Sequence, residues 1–376
     1  MTPPYSHPTR LRDYIAFMLP WAHGHQLNAI TDYVAAIIEQ QTACQAPLAR
    51  TFGNQEAATK RVSRLLHNER LDPRWLADAV LLQAIHQLPK SGKIRLAIDW
   101  TIEDTQHLLV VSLSVGRRAL PVYWRAYDAS VLKGRMQRYE MAVIRRAVSR
   151  VAQAVGKKRV MVTADRGFAD VTFFTLLSQL GVTFIIRVKA GTHVYFESRW
   201  QKLGKIKFRG HEHHRSFGPL LYCESSPQRL WVSKSRARDA KGNWGIWHLV
   251  SNRPYRAQKA AQEYGHRFGC EEGFRDATWW LGFAKARIAQ IKAWSRRFAL
   301  FAIALLAITS LGSRLLLIRS RGALQLLRRV TSRRRGRCEL GLVSAMGNLL
   351  QQDKTLYGAL SPHIKLKLEK TLANVS

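Results

Sequence analysis

Between residues 94 and 125 the chain carries three short runs rich in β-branched and aromatic residues, at 94–100, 108–115 and 119–125. Runs of this kind read as strands. Gly116-Arg117-Arg118 separates the last two as a tight turn. The periodicity then changes. Over residues 135–155, Met141, Ile144, Val148 and Val151 share one helical side, while Arg138, Arg145, Arg146 and Arg150 lie elsewhere on the surface. A strand follows at 158–164, a helix at 171–180 and a strand at 182–188. Three consecutive strands, then helix, strand, helix, strand, predict an α/β fold with one central sheet.

The flanks are helical. Leu27, Ile30, Val34, Ile37 and Ile38 recur at helical spacing, as do Val62, Leu65 and Leu66, and then Leu76, Val80, Leu81, Ala84 and Ile85. Asp72 is placed to cap the last of these helices. Residues 1–90 therefore form a small helical domain, and Pro89-Lys90-Ser91-Gly92 marks its end. Two readings stand for it, a packing module and a DNA-binding module. From residue 189 to about 245 the pattern is irregular, with aromatics, glycines and short alternating runs, and reads as a β-rich insertion. A strand at 246–251 and a long helix at 257–281 come next. Residues 319–376 form a basic helical C-terminal region. Residues 298–318 are nearly long enough to span a bilayer, but Arg314 interrupts them and the uninterrupted apolar part is only 298–308. A helix buried inside a protein explains this stretch better than a membrane span.

The net charge is +35 and the pI is near 10.9, far more than solubility requires. A polyanionic partner accounts for it, with nucleic acid the first choice. Residues 1–90 hold 9 Lys+Arg against 7 Asp+Glu, whereas residues 292–376 hold 16 against 3, so the polyanion-facing surface belongs to the middle and the tail. Cys44, Cys223, Cys270 and Cys338 are scattered, with no zinc spacing and no disulfide framework. A reducing cytoplasm fits, and no signal peptide is legible at the N-terminus.

In so basic a chain, acids at structured positions stand out. Asp99 ends the apolar stretch 94–98 of the first strand run, Asp165 ends the run at 159–163, and Glu271 lies on the long helix. On that helix Tyr264, Arg267, Glu271, Arg275 and Thr278 form one polar stripe, beside an apolar stripe of Cys270, Phe274, Ala277 and Leu281. Strand ends on a rigid sheet can aim two carboxylates at one point, and the helix can bring the third. Three convergent carboxylates bind divalent metal, and metal pairs cut and join phosphodiesters.

These residues carry a resemblance. The chain resembles the cut-and-paste DDE transposases of bacterial insertion sequences, in the group with a Tyr-x2-Arg-x3-Glu-x6-Lys signature. Tyr264, Arg267 and Glu271 match by spacing, Asp99 matches the first aspartate in its apolar-Asp-x-Thr context, and Asp165 matches the second in Asp-Arg-Gly-Phe. Glu272, Phe274, Arg275 and Asp276 fit the usual surroundings, and the β-rich insertion is itself a feature of the group. The resemblance spans residues 94–312. It implies a ribonuclease-H-like DDE catalytic domain over 91–318, with Asp99, Asp165 and Glu271 as catalytic and metal-binding residues. It implies two Mg²⁺ ions, with Mn²⁺ able to replace them, and DNA contacts by Tyr264, Arg267 and Arg275. The expected activity is metal-dependent cleavage at element ends and transfer of the 3′-hydroxyl into target DNA. The expected partners are double-stranded DNA (terminal inverted repeats and target) and a second copy in a homodimeric synaptic complex. The expected setting is the bacterial cytoplasm, at the nucleoid when DNA is bound.

One position departs from the signature: Thr278 stands where the lysine belongs. This supports an alternative, a transposase-derived DNA-binding protein with impaired catalysis. Glu272 lies one helical step off the Tyr264–Arg267 stripe and is the competitor of Glu271. His211-Glu212-His213-His214 reads as a solvated basic loop, not a metal cluster. Trp279 and Trp280 suit core packing, with base stacking as the functional alternative.

Overall fold

The computed structural model describes residues 9–42, 48, 55–116, 118–238, 242–268, 290–318, 333–334, 337–338 and 342–368. Four helices come first: α1 (Thr9–Met18), α2 (Gly24–Gln40), α3 (Gln55–Leu66) and α4 (Pro73–His86). Asp72 caps α4 as the sequence predicts, accepting the Arg74 amide at 2.7 Å, with Pro73 at the first helical position. Strands β1 (Ile94–Glu103), β2 (Gln106–Val115) and β3 (Arg118–Asp128) form an antiparallel meander. Helix α5 (Met136–Val155) then buries Val143, Ile144, Ala147, Val148 and Val151 and ends at Gly156, whose φ of +91° suits glycine.

β4 (Val160–Ala164) follows, with all five residues buried, as expected of a strand flanked by parallel neighbours and covered on both faces. Helix α6 (Val171–Gln179) is capped by Asp170 and leads to β5 (Thr183–Val188). The β-rich insertion supplies β6 (His193–Phe196), β7 (Arg199–Lys202), β8 (His214–Tyr222) and β9 (Gln228–Arg238), and β10 (Trp244–Ser251) is the strand expected after it. The insertion does not form a separate sheet. β10 pairs antiparallel with β5, and one ten-stranded sheet results, in the order β3-β2-β1-β4-β5-β10-β9-β8-β6-β7.

Helix α7 (Ala257–Gly265) lies on one face of this sheet, where Ala260, Ala261 and Tyr264 pack on Met161, Ile185, Trp247 and Leu249. The helix expected over 257–281 is interrupted here. Gly265 ends α7, and His266 and Arg267 form a turn. Glycine is among the weakest residues in a helix interior, and periodicity alone does not register it.

Helix α8 (Ile291–Ile318) packs against β3, α4, α2 and the later helix α9 (Leu342–Gln352). By length and composition it is apolar enough to cross a bilayer, yet 94% of its most apolar window is buried inside the protein. Phe298 meets Trp124 of β3 edge-on at 5.1 Å. Polar groups lock the same helix to the N-terminal segment. Arg296 donates to the carbonyls of Leu71 (2.6 Å) and Leu66 (2.9 Å), the latter being the last residue of α3. Tyr14 donates to Gln87 Oε1 at 3.1 Å, and the Ser310 hydroxyl reaches the same oxygen at 3.0 Å. The N-terminal helices, the sheet and α8 thus share one continuous core from Leu11 to Leu368.

Candidate active site

The site forms where the ladder between β1 and β4 stops. The last paired positions are Ile98 and Ala164, and Asp99 and Asp165 come next on each strand. Strand alternation puts both carboxylates on the face that carries Arg95 and Met161, the face covered by α7. The two strands differ beyond that point. Asp99 does not end β1, which runs on to Glu103 beside β2, with Asp99 opposite Val110. Asp165 does leave its strand, and its carboxylate caps the turn Arg166–Phe168 by accepting the Gly167 amide at 2.8 Å.

The motif around Asp165 follows from this turn. A Cβ on Gly167 would sit 3.0 Å from Asp165 Oδ1, so a side chain there would crowd the oxygen that the backbone amide holds. Phe168 is buried against Phe173 and anchors the loop in the core. Asp165 is therefore held by its own loop, while Asp99 is held by the sheet.

A cation meets Asp99 from α7's end. Arg267 Nη1 lies 3.3 Å from Asp99 Oδ2, with the Arg267 side chain 6% exposed and that of Asp99 23%. Arg267 Nε donates to the Tyr264 hydroxyl at 3.1 Å, and its guanidinium lies 5.0 Å from the centre of the Phe268 ring. Tyr264 is wholly buried, edge-on to Trp247 at 5.3 Å. Burial pushes its phenol pKa up, against the pull of Arg267 and Arg187. The other Asp99 oxygen accepts the Trp100 amide at 3.0 Å.

Residues 131–307 match the family model described as Transposase DDE domain. This stretch is similar to transposase DDE domains. That likeness is consistent with a role in DNA transposition and recombination. A comparison with curated proteins finds no match. The matched stretch runs from the approach to α5 into the middle of α8 and includes Asp165, Tyr264, Arg267 and Glu271.

The described residues bring Asp99, Asp165, Tyr264 and Arg267 into one region. Glu271, Arg275, Glu272, Thr278, Trp279 and Trp280 lie outside the described residues. Among the described residues no group of three or more His, Cys, Asp or Glu is arranged to hold a metal ion, and that includes the histidines at 211, 213 and 214.

Two acids beside the site escaped sequence reasoning. Glu140 of α5 accepts the Trp100 indole N–H at 2.7 Å, so the side chain next to Asp99 in sequence is tied to α5 on the other face of the sheet. Burial pushes the Glu140 carboxyl pKa up despite that bond, and the charges of Asp170 and Asp165 add to the push. Its one legible signal was that it is the single acid on an arginine-rich helix. Glu263, one residue before Tyr264, is 2% exposed and accepts from Arg95 (2.8 Å) and Lys93 (3.1 Å), with Lys259 at 3.5 Å. Burial alone would raise its carboxyl pKa, but the hydrogen bonds and charges of Arg95 and Lys93 prevail and hold it at about 2. This cluster bolts α7 to the start of β1 and so sets the height at which Arg267 meets Asp99.

Proposed function

We propose that this protein cleaves DNA at the ends of an insertion sequence and transfers the resulting 3′-hydroxyl into target DNA, using a ribonuclease-H-like core. The observation that carries the reading is the juxtaposition of Asp99 and Asp165 at the end of the β1–β4 ladder, with Arg267 on Asp99. The strand order β3-β2-β1-β4-β5, with β1, β4 and β5 parallel, supports the core assignment.

Hard oxygen donors side by side suit Mg²⁺ or Mn²⁺. Asp99 and Asp165 would hold the metal, with Glu271 as the third ligand of the signature. When bound, the metal supplies Lewis acidity toward phosphate oxygens and toward the attacking hydroxyl. The protein's own groups do the rest. Arg267 fixes the rotamer of Asp99 and balances its charge. Tyr264, unable to leave its pocket, fixes Arg267 in turn. The Gly167 amide fixes Asp165. In cleavage, water attacks the phosphodiester at the element end and the 3′-oxygen leaves as a hydroxyl. In joining, that hydroxyl attacks a target phosphodiester and the target's 3′-oxygen leaves, so the bond count is unchanged.

The insertion supplies phosphate affinity in this reading. Between residues 187 and 241 it carries 13 basic and 4 acidic residues. Arg238 lies 4.8 Å from the centre of the exposed Trp244 ring, and Arg236 lies 5.5 Å from Phe208. Both cations reach solvent from the same side of β9. Two copies paired through the element ends complete the picture.

The test is cleavage of a duplex carrying the inverted repeat that flanks the gene, with Mg²⁺, by wild type and by Asp99→Asn. Cleavage at the repeat boundary by wild type alone is expected, with binding retained by the variant. Cleavage that survives in Asp99→Asn would refute the assignment.

A further inference from the structure

The sheet face opposite α7 is covered in part by α5, and the outer side of α5 has no role in the reading above. Arg135, Arg138, Arg145, Arg146 and Arg150 are all exposed there. At about 100° per residue they fall within an arc of roughly 140°. Among the described residues only Arg146 of the five meets a carboxylate, Asp78 at 3.2 Å. The helix contains one acid, Glu140, and that acid is turned inward to Trp100. The rest of the arc is therefore cationic and open to water.

The position of the helix gives this charge a direction. The N-terminal half of α5 is tied to the site edge twice, by Glu140 to Trp100 beside Asp99 and by Gln137, which donates to Asp170 at 2.8 Å. From Arg138 to Arg150 the helix then runs about 18 Å away from that edge. A duplex presents one phosphate charge per ~1.7 Å of axis, so a segment lying along this arc meets several phosphates. Arginines on an open helical face meet phosphates, contacts that position a duplex without reading its bases, and the one amide side chain on the arc, Gln153, lies beyond Arg150 at the end far from the site edge.

We propose that the arginine face of α5 is the docking surface for target DNA, a duplex of arbitrary sequence that it delivers to the Asp99–Asp165 edge. This rests on the transposase reading above for the identity of the duplex. Charge complementarity to the phosphate backbone, which every duplex shares, selects the sequence-independent partner over the element end.

The experiment uses the full chain and the triple variant Arg138→Gln, Arg145→Gln, Arg150→Gln. All three sites are exposed, and an unchanged melting temperature checks that the fold survives. Affinity is measured against salt for a random-sequence duplex and for the flanking-repeat duplex, together with joining of a pre-cut repeat end to the random duplex. For the random duplex the log–log salt slope is expected to fall by roughly 2 to 3, at about 0.9 per lost phosphate contact, with affinity down at least about tenfold. Joining should fall in parallel, while binding and cleavage of the repeat duplex stay within about twofold. An unchanged slope on the random duplex would overturn the proposal, and so would equal losses on both duplexes. If wild type neither cleaves nor joins the repeat end, the transposase reading fails, yet the slope on the random duplex still decides whether α5 binds DNA.

Discussion

Arg267 reaches Asp99 with one nitrogen, at 3.3 Å, and Tyr264 with another, at 3.1 Å. The guanidinium fork can do both at once, and an ammonium cannot hold the same pair in a fixed plane. Arg267→Lys is therefore expected to keep the fold and lower single-turnover cleavage by about 10²-fold, the scale of a misplaced catalytic group. A repeat-end cleavage assay reads this directly.

Tyr264→Phe keeps the ring against Trp247 and removes only the acceptor for Arg267. A stability loss of about 1 kcal/mol is expected in urea, with a drop in cleavage. Because both residues act through one hydrogen bond, the double variant with Arg267→Lys should be less impaired than the two single effects combined. Full additivity would mean the residues act separately.

Gly167→Ala places a methyl 3.0 Å from Asp165 Oδ1. The carboxylate must turn away and lose the amide at 167. The expected result is weaker Mn²⁺ binding by titration calorimetry, with a melting temperature within a few degrees of wild type, since the crowded atom is a partly exposed side chain.

Glu263 makes the protein sensitive to acid in a defined window. Its folded pKa of about 2 lies below its ordinary value, so the stabilisation is complete above about pH 4.5 and is lost as pH falls toward 2. Glu263→Gln leaves Arg95 and Lys93 without their carboxylate, and a loss of about 3 kcal/mol is expected at neutral pH. Its urea midpoint should also be flatter between pH 4.5 and 2 than that of wild type.

His248 on β10 opens a second window. Burial, aided by Lys234 and Arg187, depresses its pKa to about 4. The group favours folding above about pH 6.5 and loses that contribution as pH falls toward 4. His248→Leu should flatten the stability profile between those values, whereas an unchanged profile would show that other groups set it.

What the sequence disclosed was local. The Asp72 cap, the turn at Gly116 and the five strands up to residue 188 depend on neighbours in the chain, and they appear where the patterns put them. What it missed depends on partners far away. Asp99 looked like a strand end because the apolar run stops there, but β1 continues since β2 is long enough to pair with it to Glu103. Glu140 and Glu263 gain their roles from Trp100 and Arg95, at separations of 40 and 168 residues, and no periodicity encodes such meetings. The insertion was legible as β-rich, but its fusion with the central sheet through β10 and β5 was not, because hydrogen-bond pairing leaves no compositional mark.

That fusion sets where movement can occur. From β1 to β7 the strands are joined edge to edge, a raft about 34 Å wide at the usual spacing. Swinging the outer strands away from Asp99 would mean unzipping a ladder of backbone bonds, so the protein has no hinge at that seam. A nucleic acid gripped at both the outer strands and the cutting edge must itself supply the bend. The sheet then behaves as a fixed template, and under the proposed function the elastic work falls to the DNA.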